Sequence, residues 1–185
     1  MLLLTLRGTP VVYMGEEIGM ADVPPPPGVL LDRVGRDAQR TPMQWTDAPG
    51  GGFTTGRPWL ALGDTREVNV AAQRDDPGSL LTLYRRLIDL RAQSPALGTG
   101  TYRALDVAEG SGVLAYLRES EEQRLLIALD VGGTGAELDL PAFARGRIGS
   151  SGRLLLSTGS DGRPDETIEL CHLVLGPGEG IIVEL

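Results

Sequence analysis

The apolar residues of this chain change their period partway along, and that change limits what the chain can fold into. In residues 79–93, Leu80, Leu83, Leu87 and Leu90 fall at helical spacing. Ser79, after Pro77-Gly78, stands where a helix cap belongs, and Pro95 stops the helix. From about residue 98 the spacing falls to two. Candidate strands are residues 100–107, 113–118, 124–131, 136–140, 154–158, 167–170 and 180–185. Between them lie turn signals: Glu109-Gly110-Ser111-Gly112, Gly132-Gly133-Thr134-Gly135, Ser160-Asp161-Gly162, and Gly176-Pro177-Gly178-Glu179-Gly180 as a hairpin turn. Short strands with frequent turns predict an antiparallel sheet or sandwich, with a domain boundary near residue 96. At 185 residues the chain can hold one good core, or one and a half.

The first half reads differently. Residues 1–14 hold two apolar bursts split by Gly8-Thr9-Pro10. Residues 2–6 suit a helix end. Val11-Val12-Tyr13, β-branched and aromatic, suits a short buried strand. Residues 21–78 show no sustained period and contain Pro24 to Pro27 and Gly50-Gly51-Gly52. A loop of that length is usually functional or disordered. Trp45, Phe53 and Trp59 argue for order, because large rings seek burial.

Charge and side-chain chemistry exclude several classes. The net charge is −8 and the basic residues are scattered, so no basic face for nucleic acid is expected. A neutral ligand such as a sugar fits that balance. Cys171 is the only cysteine, so the chain forms no internal disulfide, which is compatible with the cytoplasm. Met1-Leu2-Leu3-Leu4 is too short for a signal peptide, and no run reaches the roughly 20 apolar residues of a membrane span. A soluble, cytoplasmic chain without a membrane partner is expected. His172, the only histidine, has no second histidine or cysteine with which to hold a metal. It is expected to be a packed core or edge residue. The glycine runs lack the Lys-Ser/Thr ending of a phosphate loop. No cofactor and no metal are expected.

Two groups of charged residues are candidates for chemistry. Glu16 and Glu17 are adjacent. A retaining glycosidase needs its two carboxyls about 5 Å apart across the scissile bond, and neighbours on an extended chain point to opposite sides. Arg36, Asp37 and Arg40 form a compact charged group before Trp45. Such a group is either a surface ion-pair cluster or a place where arginine holds a carboxylate bidentately and shapes a pocket.

Three runs carry a resemblance. They are Gly8-Thr9-Pro10-Val11-Val12-Tyr13-Met14-Gly15-Glu16-Glu17-Ile18-Gly19-Met20, then Gly35-Arg36-Asp37-Ala38-Gln39-Arg40-Thr41-Pro42-Met43-Gln44-Trp45, then Gly52-Phe53-Thr54-Thr55-Gly56-Arg57-Pro58-Trp59-Leu60. Together they resemble the last part of an α-glucosidase of the α-amylase superfamily, of the oligo-1,6-glucosidase type. The match runs on through Asp75-Asp76-Pro77-Gly78-Ser79-Leu80-Leu81 and Tyr84-Arg85-Arg86-Leu87-Ile88-Asp89-Leu90-Arg91, covering residues 1–97. Beyond that, only the all-β character matches the family's small C-terminal domain.

The resemblance implies an α+β chain: the last strand and helix of an incomplete (β/α)8 barrel with a long loop, followed by an antiparallel β-sandwich. Residues 1–96 would be the barrel's end, with strand eight at 11–14 and helix eight at 79–93. Residues 97–185 would be the β-domain. The long loop would then leave the strand's C-terminal end, where active sites of this fold lie. By resemblance, the family cleaves α-glucosidic bonds with retention, using an Asp nucleophile, a Glu general acid and a second Asp. None of the three has a matching position here. Arg36 is implied to pair with a barrel carboxylate and hold the terminal glucose, while Asp37 and Arg40 brace the loop. The partners implied are an α-linked gluco-oligosaccharide and a chain carrying the remaining barrel. Related sugar isomerases share residues 40–45, whereas residues 52–60 look more like those of hydrolases. The alternatives are a non-catalytic carbohydrate-binding or accessory protein, or one half of a split enzyme completed by a separate chain bearing the first seven strands. One strand and one helix cannot close a barrel. Residues 98–185 are therefore expected to fold independently and the first segment to be poorly held, with faster amide exchange at Val12 than at Leu126.

Overall fold

The β-rich half forms two antiparallel sheets in the computed structural model, which describes residues 1–26, 28, 32–138, 149–159 and 165–185. The strands are β1 (Thr101–Ala104), β2 (Val113–Glu119), β3 (Arg124–Asp130), β4 (Ala136–Leu138), β5 (Ser151–Ser157), β6 (Thr167–Glu169), β7 (Leu173–Leu175) and β8 (Gly180–Glu184). The larger sheet has the order β1-β2-β3-β8-β5-β6, and β4 pairs with β7 in the smaller. The helices are α1 (Leu2–Thr5), α2 (Val70–Gln73), α3 (Leu80–Gln93) and α4 (Pro95–Gly98). Among the described residues, no helix is long and apolar enough to cross a membrane. The turn signal at residues 160–162 and the end of the 136–140 strand lie outside the described residues.

Register explains the core. Leu117, Leu126 and Val183 stand opposite one another across β2, β3 and β8, so their side chains share one face. They pack with Leu138, Leu173 and Leu175 of the small sheet, which makes the sandwich core. The next row, Tyr116, Ile127 and Ile182, points the other way and is also fully buried. Thr5 Oγ1 lies 2.5 Å from the Tyr116 hydroxyl, and Met1 Sδ sits against Gly180. Residues of the N-terminal segment therefore help to close the second face. In β5 the register shifts between Leu154 and Leu156, which sends Leu154 to the sandwich core and Leu156 to the opposite face.

The chain divides into two compact units: Met1–Pro10 with Leu87–Leu185, and Val11–Arg86. In the first, two arginines fasten the N-terminal segment. Arg91 donates to the carbonyls of Leu4 (2.8 Å), Leu6 (3.1 Å) and Gly8 (2.6 Å). Arg118, fully buried, donates to the carbonyls of Thr5, Leu97, Gly100 and Thr101. Leu4, Thr5 and Leu97 are buried in this unit and Thr5 bonds to Tyr116 and Arg118, so the second face of the sheet is covered in part from outside residues 98–185.

The second unit is ordered by buried polar groups more than by aromatic rings. Gln44 is buried and its amide donates to the carbonyls of Asp64 (3.2 Å) and Val68. Asn69 caps α2 by accepting from Ala72 N at 2.7 Å. Gln73 donates to the Ile18 carbonyl and accepts from Leu81 N. Around them Ile18, Met43, Val70 and Leu81 form a small core. The expectation that Trp45, Phe53 and Trp59 are buried is corrected: all three rings are exposed. Val11, Val12 and Tyr13 are not a buried strand either. They are exposed, because no strand lies beside them to complete a ladder among the described residues. On α3 the buried leucines are Leu81 and Leu87, while Leu80 is exposed. Gly176–Gly180 turns between β7 and β8, but these strands belong to different sheets, so it is not a hairpin.

Asp130, at the end of β3, joins two turns. Its carboxylate accepts from the backbone of Gly132 and Gly133 (3.1 Å each), Gly135 (2.8 Å) and Gly178 (2.9 Å). The Gly178 and Gly135 amides hold its carboxyl below the usual carboxylate range, Gly133 and Gly132 adding to them. A depressed native value gives stability that is present above the unfolded value of 3.8 and lost as pH falls through the folded one. Urea midpoints are therefore expected to fall below about pH 4. In Asp130→Asn this acid slope should flatten and the midpoint at pH 7 should drop. An unchanged acid slope in the variant would assign it to other groups.

Candidate functional site

The charged run from Asp32 to Arg40 folds back on itself within the Val11–Arg86 unit. A 3-10 turn at Asp37–Gln39 follows Gly35, whose positive φ of 76° favours glycine. Asp37 is buried, and its two oxygens each accept from Asp32 N at 3.1 Å. Asp32 in turn receives Arg36 Nε at 2.7 Å on one oxygen and Arg36 Nη2 at 3.3 Å on the other. Arg40 Nη1 stands 3.8 Å from Asp32. The Arg36 side-chain hydrogen bond holds the Asp32 carboxyl well below its usual range, and the same bond raises Arg36.

The three predicted residues thus gather around a fourth, Asp32, which the sequence reading passed over. The Asp32–Arg36 spacing of four was the signal that marks it. The Arg36 side chain remains 54% exposed, so its outer edge can meet a ligand. Its partner here is a carboxylate four residues earlier in its own loop.

A second feature lies in the same unit. Tyr13, Met14, Glu17, Met43, Trp45 and Phe53 line an open cleft of about 440 Å³. Pro42 to Gln44 are buried, and Trp45 N donates to the Gly51 carbonyl at 2.8 Å, which fixes the root of its ring. Glu16 and Glu17 do not face one point: Glu16 accepts from Tyr13 N at 3.1 Å and Glu17 from Gly15 N at 2.9 Å. Both hold the turn at Gly15 and leave no paired acid and base. Trp59 lies in a separate groove with Pro25, Pro26, Arg57 and Pro58. His172 is half exposed, with Nε2 4.0 Å from Glu137.

The unit thus presents two separate features, an exposed arginine held by one carboxylate and an open cleft lined by aromatic rings. The family model for the alpha amylase catalytic domain matches residues 1–100, and the chain belongs to the alpha-amylase family. Glucan 1,6-alpha-glucosidase of Streptococcus pneumoniae is 32% identical over 164 residues, covering 74% of this chain and 30% of that protein. Trehalose synthase of Thermus thermophilus is 43% identical over 153 residues, covering 77% of this chain and 15% of that protein. The solved trehalulose synthase MutB of Pseudomonas mesoacidophila MX-45 superposes with a TM-score of 0.81 at 28% identity, over 98% of this chain and 36% of that one. The chain therefore spans about a third or less of the length of these relatives.

Proposed function

We propose that this chain is the C-terminal portion of a retaining α-glucosidase that hydrolyses α-glucosidic bonds in oligosaccharides. Residues 1–96 would end the barrel and residues 97–185 would be the buttressing β-domain. In this reading the loop from Asp32 to Arg40 supplies one wall of the sugar site. Arg36 binds the terminal glucose through hydroxyls and a barrel carboxylate that competes with Asp32, while Asp37 and Arg40 brace the loop. The catalytic Asp, Glu and second Asp come from outside this chain. The observation that carries the reading is the exposed, loop-mounted Arg36 within residues matched to the catalytic domain. The exposed row Val11 to Met14 supports it, since a barrel strand needs neighbours on both sides.

The test is reconstitution. The chain alone is expected to release no glucose from isomaltose or maltose. Activity is expected when a second chain carrying the remaining barrel is co-expressed. In that complex Arg36→Ala should lower kcat/KM about 100-fold, or roughly 3 kcal/mol of transition-state binding. Full activity by the isolated chain, or an Arg36→Ala complex as active as its parent, would defeat the reading.

A second reading rests on the exposed rings of Trp45, Phe53 and Trp59, which suit sugar stacking in a non-catalytic carbohydrate-binding protein. Saturable binding of maltose by the isolated chain, weakened by Trp59→Ala, would favour it over the enzyme reading.

A further inference from the structure

Three arginines meet in the sheet-bearing unit with no carboxylate among them. Arg7 follows α1, Arg91 lies in the last turn of α3, and Arg118 lies on β2. Among the described residues none of the three forms a salt bridge. Burial, Arg91 and Arg7 all push the Arg118 guanidinium down from its ordinary value, with only Tyr116 opposing. Asp89 is the nearest acid along α3, but two residues turn a helix by about 200°, so it points away from Arg91. An uncompensated cluster of three positive charges is unexpected in a chain of net charge −8.

The cluster opens onto a cavity. Arg7 and Arg91, with Thr9, Thr99, Leu4 and Ile88, line an open space of about 820 Å³. Arg91 is largely committed, giving three bonds to the carbonyls of Leu4, Leu6 and Gly8. Arg7 is exposed and makes no hydrogen bond or ion pair among the described residues. A guanidinium keeps its charge at every ordinary pH and presents five donors in a planar fork, which matches an oxyanion. Arg91 and Arg118 behind it add to the local field, and the apolar wall lowers the dielectric around it.

We propose that this cavity binds an oxyanion (a phosphate or a carboxylate) carried on a molecule with an apolar flank. Arg7 is the contacting cation, and the Thr9 and Thr99 hydroxyls are auxiliary donors. Leu4 and Ile88 meet the flank. The residues it uses are distinct from those assigned to sugar.

The test is an NMR titration of the full 185-residue chain, followed at the Thr9 and Thr99 amides and the Arg7 Nε. Inorganic phosphate and sodium butyrate are added separately, with sodium chloride at matched ionic strength as reference. A saturable shift with a half-point of about 1–10 mM is expected for at least one of them. It should be lost in Arg7→Gln and weakened several-fold in Arg7→Lys. Saturation by phosphate alone identifies a phosphate ligand, and saturation by butyrate identifies a carboxylate one. Arg7 makes no hydrogen bond or ion pair among the described residues, so both variants should keep the parent's urea midpoint. If Arg7→Gln misfolds, Arg7→Lys decides the matter. Shifts no different from those of chloride, or the same half-point in the folded variants, would overturn the proposal.

Discussion

Replacing Arg118 by methionine is expected to destabilise the sheet-bearing unit by about 3–4 kcal/mol, close to one per carbonyl orphaned. The side chain is fully buried, and its donors are shared among the carbonyls of Thr5 (2.5 Å), Leu97 (3.0 Å), Gly100 (3.2 Å) and Thr101 (3.3 Å). Two of these, Thr5 and Leu97, belong to the last turns of α1 and α4, where carbonyls lack helical partners. Methionine fills much the same space, so the loss isolates the hydrogen bonds from the packing. A fall in Tm of roughly 10 °C is expected for a chain of this size. Arg118→Lys should recover only part of it, because one ammonium cannot reach four carbonyls arranged around a planar fork. The N-terminal segment should also loosen, read as faster amide exchange at Leu4 and Leu6. A midpoint within about 0.5 kcal/mol of the parent would show that these bonds contribute little beyond what water supplies.

Gly100→Ala should be nearly as damaging, for a steric reason. A Cβ there would meet the Ala96 carbonyl oxygen at 2.3 Å and the Glu119 carbonyl oxygen at 2.7 Å. Both are main-chain atoms, fixed by α4 and by the β1–β2 pairing, so neither moves without disturbing an element. The Gly100 carbonyl is also one of the Arg118 acceptors, so any shift disturbs that network. A loss of about 3 kcal/mol is expected. Gly98 provides the control. It ends α4 and has open space where its Cβ would lie, so Gly98→Ala should be neutral or slightly stabilising. Urea unfolding of both variants at pH 7 measures the contrast. Equal effects at the two positions would mean that the close approach at Gly100 relaxes cheaply.

Local pattern carried much of the β-domain. Seven strands are readable from alternation between glycine turns, and the helix over 80–93 from its leucine spacing and its proline stop. The strand Leu173–Leu175 was missed, because three residues between a cysteine-histidine pair and a glycine turn are too few to show a period. Its pairing with Leu138, rather than with the strand that follows it, is a long-range choice that no local rule encodes. The site was half legible. The residues of the Asp32–Arg40 loop could be named, but the bond between Asp32 and Arg36 needed the fold. The burial of Gln44 is likewise invisible in a run without period, since its partners Asp64 and Val68 lie 20 and 24 residues on.

What the sequence by itself determined is the family of the first hundred residues, the alternation of the β-domain and the positions of its turns. These are matters of local spacing and of motif, and they survive in one dimension. Only the tertiary structure decided that the sheet is buried on both faces. It also decided that Arg91 and Arg118 bind the N-terminal segment through its carbonyls. Main-chain carbonyls are the same at every residue, so a side chain that recognises them leaves no mark in the sequence of the segment it holds. The placement of Arg7 beside the other two arginines has the same origin: residues 7, 91 and 118 become neighbours only when the chain closes on itself.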